Sequence, residues 1–145
     1  MTMAGSTIRL QTRTDYSMLA SDFPSTGKNM TVIAARRIPV DRWRECNIIA
    51  RVHAVMNWNA GAAINLFAAL DPYTDEDPAA IWILSGNPVT VAAFTKANDT
   101  PPCAKVGALP APFGPLIMLQ WQFTMATAAV DMKFSVSIDL NLKGE

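Results

Sequence analysis

Val130-Asp131-Met132-Lys133-Phe134-Ser135-Val136-Ser137-Ile138-Asp139-Leu140-Asn141-Leu142 alternates along its whole length. Seven apolar residues, Val130 through Leu142, take every second position, and Asp, Lys, Ser and Asn fill the gaps. A period of two puts each set on its own face of a pleated strand, so this segment predicts a half-buried strand with its apolar face on a core. The preceding stretch repeats the pattern. Ile117, Leu119, Trp121, Phe123 and Met125 alternate with Met118, Gln120, Gln122 and Thr124.

Toward the N-terminus the period stays at two. Thr31-Val32-Ile33 is a β-prone run closed by Pro39. Cys46, Ile48, Ala50, Val52, Ala54, Met56 and Trp58 share one face of the next strand. Asn47, Arg51, His53 and Asn57 share the other, interrupted by Ile49 and Val55. Asn59-Ala60-Gly61 turns the chain into Ala62, Ile64, Leu66, Ala68 and Leu70, which predicts a hairpin. Ile81–Leu84 and Val89–Thr95 are short strands split by Ser85-Gly86-Asn87-Pro88. Five prolines between 101 and 115 predict an irregular surface connection with little room for a strand around Val106.

No long segment has a helical period. About seven or eight strands joined by Gly/Pro turns predict an all-β fold, an antiparallel two-sheet β-sandwich of jelly-roll-like form rather than a closed barrel. The strand order stays open. Residues 1–28 are polar, with Ile8 and Leu10 alternating against Thr7, Arg9 and Gln11 before the turn cluster Asp22-Phe23-Pro24-Ser25-Thr26-Gly27. The expectation is an extended N-terminal arm over 1–28, with at most one or two strands pairing outside the main domain, and a sandwich domain over 29–145.

Half of the 145 residues are hydrophobic and 17% are charged, enough apolar material for one domain with a real core. A formal net charge of zero argues against a partner held through phosphates, so no direct nucleic-acid contact is expected. The zero conceals an asymmetry: residues 1–51 carry eight Lys/Arg against four Asp/Glu, and residues 52–145 carry four against eight. Opposite-signed surfaces let copies pack head to side. The N-terminus has no apolar signal region, and no stretch approaches the roughly 18 apolar residues of a membrane span. Synthesis in a cytosol with no membrane partner is expected, with Cys46 and Cys103 both reduced and Cys46 in the core.

The sequence offers no catalytic, cofactor-binding or metal-binding residues. His53 is the single histidine, and it falls mid-strand on the polar face with no Gly-x-Ser-x-Gly elbow in the chain. One His and two distant Cys do not make a zinc site. Asp71 and Asp75-Glu76-Asp77 lack the alternation of a calcium loop, and Asp77-Pro78 reads as a helix cap and first-turn proline. Most of the acids fall in one loop or on exposed strand faces, whereas glycosidic cleavage needs two that face a cleft. Of four tryptophans, Trp58 and Trp121 fall on apolar faces, which leaves Trp43 and Trp82 as the candidates for a sugar-stacking platform.

One stretch carries a resemblance. Arg44-Glu45-Cys46-Asn47-Ile48-Ile49-Ala50-Arg51-Val52-His53 leads through Gly61 to Ala62–Leu70 and on to Pro72-Tyr73-Thr74-Asp75-Glu76-Asp77-Pro78. Together, about a quarter of the chain, this resembles the small β-sandwich virion proteins of tailed bacteriophages that decorate or cement the head. The resemblance implies a non-enzymatic structural protein, present in many copies as a homo-oligomer bound to the major capsid protein or other virion subunits. Its place would be the virion, after synthesis in the host cytoplasm. A tail-tube or head–tail adaptor subunit is a variant of that expectation, and a carbohydrate-binding β-sandwich is the alternative.

Overall fold

The computed structural model describes residues 5–22, 28–40, 43–59, 61–71, 89–109, 116–125 and 130–144. These residues form eight strands: β1 (Gly5–Met18), β2 (Lys28–Pro39), β3 (Glu45–Met56), β4 (Ala63–Asp71), β5 (Val89–Thr95), β6 (Cys103–Ala108), β7 (Leu116–Met125) and β8 (Met132–Lys143). One 3-10 turn, Ala20–Asp22, follows β1. The strands make two four-stranded sheets, ordered β1-β8-β3-β6 and β2-β7-β4-β5, and every pairing is antiparallel. The first strand pairs with the last, the second with the second-last, and so inward to β4 with β5. That nesting is a long hairpin rolled on itself, the jelly roll.

The core lies between the sheets and is built by the expected alternation. On β8, Met132, Phe134, Val136, Ile138, Leu140 and Leu142 are all buried, facing Ile117, Leu119, Trp121, Phe123 and Met125 of β7 from the opposite sheet. Phe134 and Phe123 stack across the gap with ring centroids 4.4 Å apart. Val130 lies outside the strand and is half-buried.

Four expectations are corrected. Within the segment 1–28, the described strand Gly5–Met18 does not pair outside the domain but lies along β8 as an edge strand of the sandwich, and Met18 is fully buried. An edge strand exposes most of one side, so its sequence carries few apolar residues. Strands β3 and β4 do not form a hairpin but belong to different sheets. Alternation reports that a strand faces the core, and two strands facing it from opposite sides alternate just as paired strands do. Next, β3 is bulged between Val52 and Ala54. The extra residue turns Ala54 and Met56 outward and brings Val55 against the core, with Met56 54% exposed. Finally, Cys103–Ala108 forms a strand, because the prolines flank it and none interrupts it. The expected strand at Ile81–Leu84 lies outside the described residues.

Strands β5 and β6 close one rim. Gly107 of β6 sits so tightly on β5 that a Cβ there would approach Val91 Cγ1 to 2.6 Å and collide with the Val91 backbone. Lys105 Nζ reaches across to donate to the Ala93 carbonyl at 2.5 Å, pairs with Asp99, and lies 5.2 Å from the centre of the Phe94 ring.

The ends of the sandwich differ in what they carry. Met18, Met56, Ala63, Thr95, Met125 and Met132 gather at one end, where β1–β2, β3–β4, β5–β6 and β7–β8 connect. Gly5, Lys143, Pro39 and Glu45 lie at the other, where β4 ends at Asp71 and β5 begins at Val89.

Candidate assembly surface

The outer face of β1-β8-β3-β6 carries a network of polar and charged side chains. Strand β8 is central in its sheet, and its outward residues Ser135, Ser137 and Asp139 are short enough to be roofed by longer side chains from β1 and β3. Asp139 accepts from Arg9 on one side and Arg51 on the other, which ties three strands through one carboxylate. Burial alone would push this carboxyl up, but the hydrogen bonds and charges of Arg9 and Arg51 outweigh it and hold the group below the usual carboxylate range. Arg13 Nε donates to Ser135 Oγ at 2.6 Å, and Asn141 Nδ2 donates to Thr7 Oγ1 at 3.0 Å.

His53 stands at the β3 bulge with Nε2 2.8 Å from Ser137 Oγ. Partial burial and the charges of Arg13, Arg51 and Arg9 lower its pKa, so the ring is neutral at pH 7. A serine and a histidine in contact invite a catalytic reading, but two features oppose it. Ser137 is fully buried, closed to a substrate carbonyl, and the nearby Asp139 is engaged by two arginines rather than orienting the imidazole. The cysteines are both free. Burial pushes the Cys46 thiol up to about 12, and burial with the Asp99 charge raises Cys103, so neither is poised as a thiolate. Among the described residues no group of three or more His, Cys, Asp or Glu could hold a metal ion.

Above Ser135 the face opens into a recess of about 190 Å³. Its floor is Ser135; Arg13 and Asp15 form the β1 wall, Ala54 and Met56 the β3 wall, and Lys133 closes the end. Two small residues beside each other, Ser135 and Ala54, leave the space, and the bulge in β3 aims Ala54 and Met56 into it. Sequence reading missed this site because its residues come from three strands distant in the chain. The β3 bulge alone left a local trace, Val55, which with Ile49 interrupts the polar face of that strand.

The outer face of β2-β7-β4-β5 is uncharged among its described side chains. Gln120 and Gln122 of β7, Asn65 and Phe67 of β4 and Thr31 of β2 contribute amide, aromatic and hydroxyl groups to it. Of the tryptophans, Trp121 is fully buried, and Trp58 is buried with its indole donating to the Ala62 carbonyl at 3.1 Å. Trp43 is half-buried and packs on the core, while Trp82 and the acidic run 75–77 lie outside the described residues.

No protein-family model matches the chain, and no curated protein sequence matches it. Solved structures do. VP2 of the infectious bursal disease virus subviral particle superposes with a TM-score of 0.54 at 16% identity, over 99% of this chain and 33% of that one. The chain shares its fold with a particle-building protein. A structure of the Gx strain of the same virus gives a TM-score of 0.50 at 12% identity, over 98% of this chain and 32% of that one. This chain therefore spans about a third of the length of these neighbours.

Proposed function

We propose that this chain is a non-enzymatic structural protein of a virus particle, packing with copies of itself or with other virion subunits. The observation that carries the reading is the jelly roll itself: nearly the whole chain superposes on one portion of a protein that builds a subviral particle. The layout of the surface supports it. One outer face is laced with paired charges, which suits a subunit that meets its neighbours through complementary charge.

Within that class, the sequence resemblance favours a decoration or cement protein that binds the major capsid protein of a tailed-phage head and stabilises its lattice. The superposition on VP2 favours a second reading, a part of the shell subunit itself. Immunogold labelling of purified particles of the virus that encodes this chain tests both. Label over the head is expected. A decoration protein is stripped by mild denaturant while the shell stays closed, whereas a shell subunit is released only as the shell opens. Label on the tail would replace both with a tube or adaptor subunit, and unlabelled particles would refute the virion assignment.

A further inference from the structure

We infer that the recess over Ser135 receives the acidic segment Asp71-Pro72-Tyr73-Thr74-Asp75-Glu76-Asp77 of a second copy of this chain, joining copies head to tail. The inference rests on the assembly role proposed above. At about 190 Å³ the recess is smaller than the roughly 300–1,000 Å³ of pockets that enclose a small-molecule ligand, and it suits one or two protein side chains. Its charge favours a carboxylate. Asp15 is engaged by Ser135 and by Lys133 at 3.5 Å, whereas Arg13, whose charge also acts on Asp15, donates from Nε to Ser135 and makes no ion pair within 4 Å among the described residues. The terminal N–H groups of Arg13 are the donors that grip a carboxylate in bidentate fashion. Exposed Met56 on the facing wall offers an apolar surface to Pro72 or Tyr73 of the incoming segment.

The chain itself supplies the complement. Asp71–Asp77 holds four carboxylates in seven residues and no base, half of the eight acids that follow residue 51. Topology sets the two partners apart. The recess lies by Met56 and Lys133, at the end where β3 passes to β4, while β4 reaches Asp71 at the opposite end and in the other sheet. A recess at one end, met by a segment that follows Asp71 at the other, would make a heterologous contact, which propagates from copy to copy until it closes into a ring or spreads as a lattice.

Sedimentation velocity on the full chain over a concentration series, in low salt, tests the inference. The parent should self-associate. Arg13→Glu should weaken association about tenfold or more, as should the triple change Asp75→Lys, Glu76→Lys, Asp77→Lys. Combining the two sets should restore most of the affinity. If Arg13→Glu fails to fold, Met56→Glu on the opposite wall reports on the same recess. Parent-like association in the single-site and triple variants, or no recovery on combining them, overturns the docking and leaves the virion reading standing. A parent that stays monomeric also overturns the docking, and particle labelling then judges the virion reading separately.

Discussion

The indole Nε1 of Trp121 on β7 donates a 2.8 Å hydrogen bond to Oε1 of Gln11 on β1, so a single amide joins the two sheets through the core. The other end of that amide donates to the Tyr16 hydroxyl at 2.6 Å, and the Tyr16 ring lies 5.5 Å from Phe123. Gln11→Leu keeps the apolar fill but strands a buried indole N–H, which should cost about 1–3 kcal/mol in chemical denaturation. A loss below about 0.5 kcal/mol would show that Trp121 has another acceptor.

That same pair shows how far the sequence can be read. Trp121 was legible because it sits in a strand of unbroken alternation. Gln11 was not, since a polar residue facing inward on an edge strand looks like any other polar residue of an arm. The apolar faces of β3 and β4 were legible, but their separation into two sheets was not, because alternation carries no information about which neighbour a strand pairs with. The shift at His53 left one trace in the sequence, Val55. The recess left none: Arg13, Ala54 and Ser135 meet only after β1, β8 and β3 have paired.

Gly107 should not tolerate a side chain. Gly107→Ala places a methyl against the Val91 backbone on the neighbouring strand, and the β5–β6 rim must part to admit it. The expected cost is about 1–3 kcal/mol, read as a lower denaturation midpoint, with faster amide exchange in β6 than in β8. Unchanged exchange in β6 would contradict the tight rim.

Asp139 should make stability depend on acid. Its folded pKa lies below the unfolded value, so its contribution is fully present above about pH 4 and disappears as pH falls through the folded pKa. Asp139→Asn should cost about 1.5–3 kcal/mol at neutral pH by depriving Arg9 and Arg51 of their shared acceptor. The gap between the variant and its parent should narrow in thermal melts below about pH 4. A gap that stays constant down to about pH 2 would show that the carboxylate charge is not what stabilises the strands.

Phe134 should behave as a fully buried aromatic. It stacks on Phe123 across the sandwich, and Phe134→Ala should cost about 3–5 kcal/mol. A loss below about 1 kcal/mol would place the wrong face of β8 inward.

A repeated component of a virus particle, as proposed for this chain, is recognised by counting its copies. Quantitative mass spectrometry of gradient-purified particles, with isotope-labelled peptides of this chain as standards, gives the number of copies per genome. Many copies per particle are expected, in a fixed ratio to the shell protein that survives repeated purification. A chain absent from the particles, or present only at trace level and falling with each gradient, would contradict it.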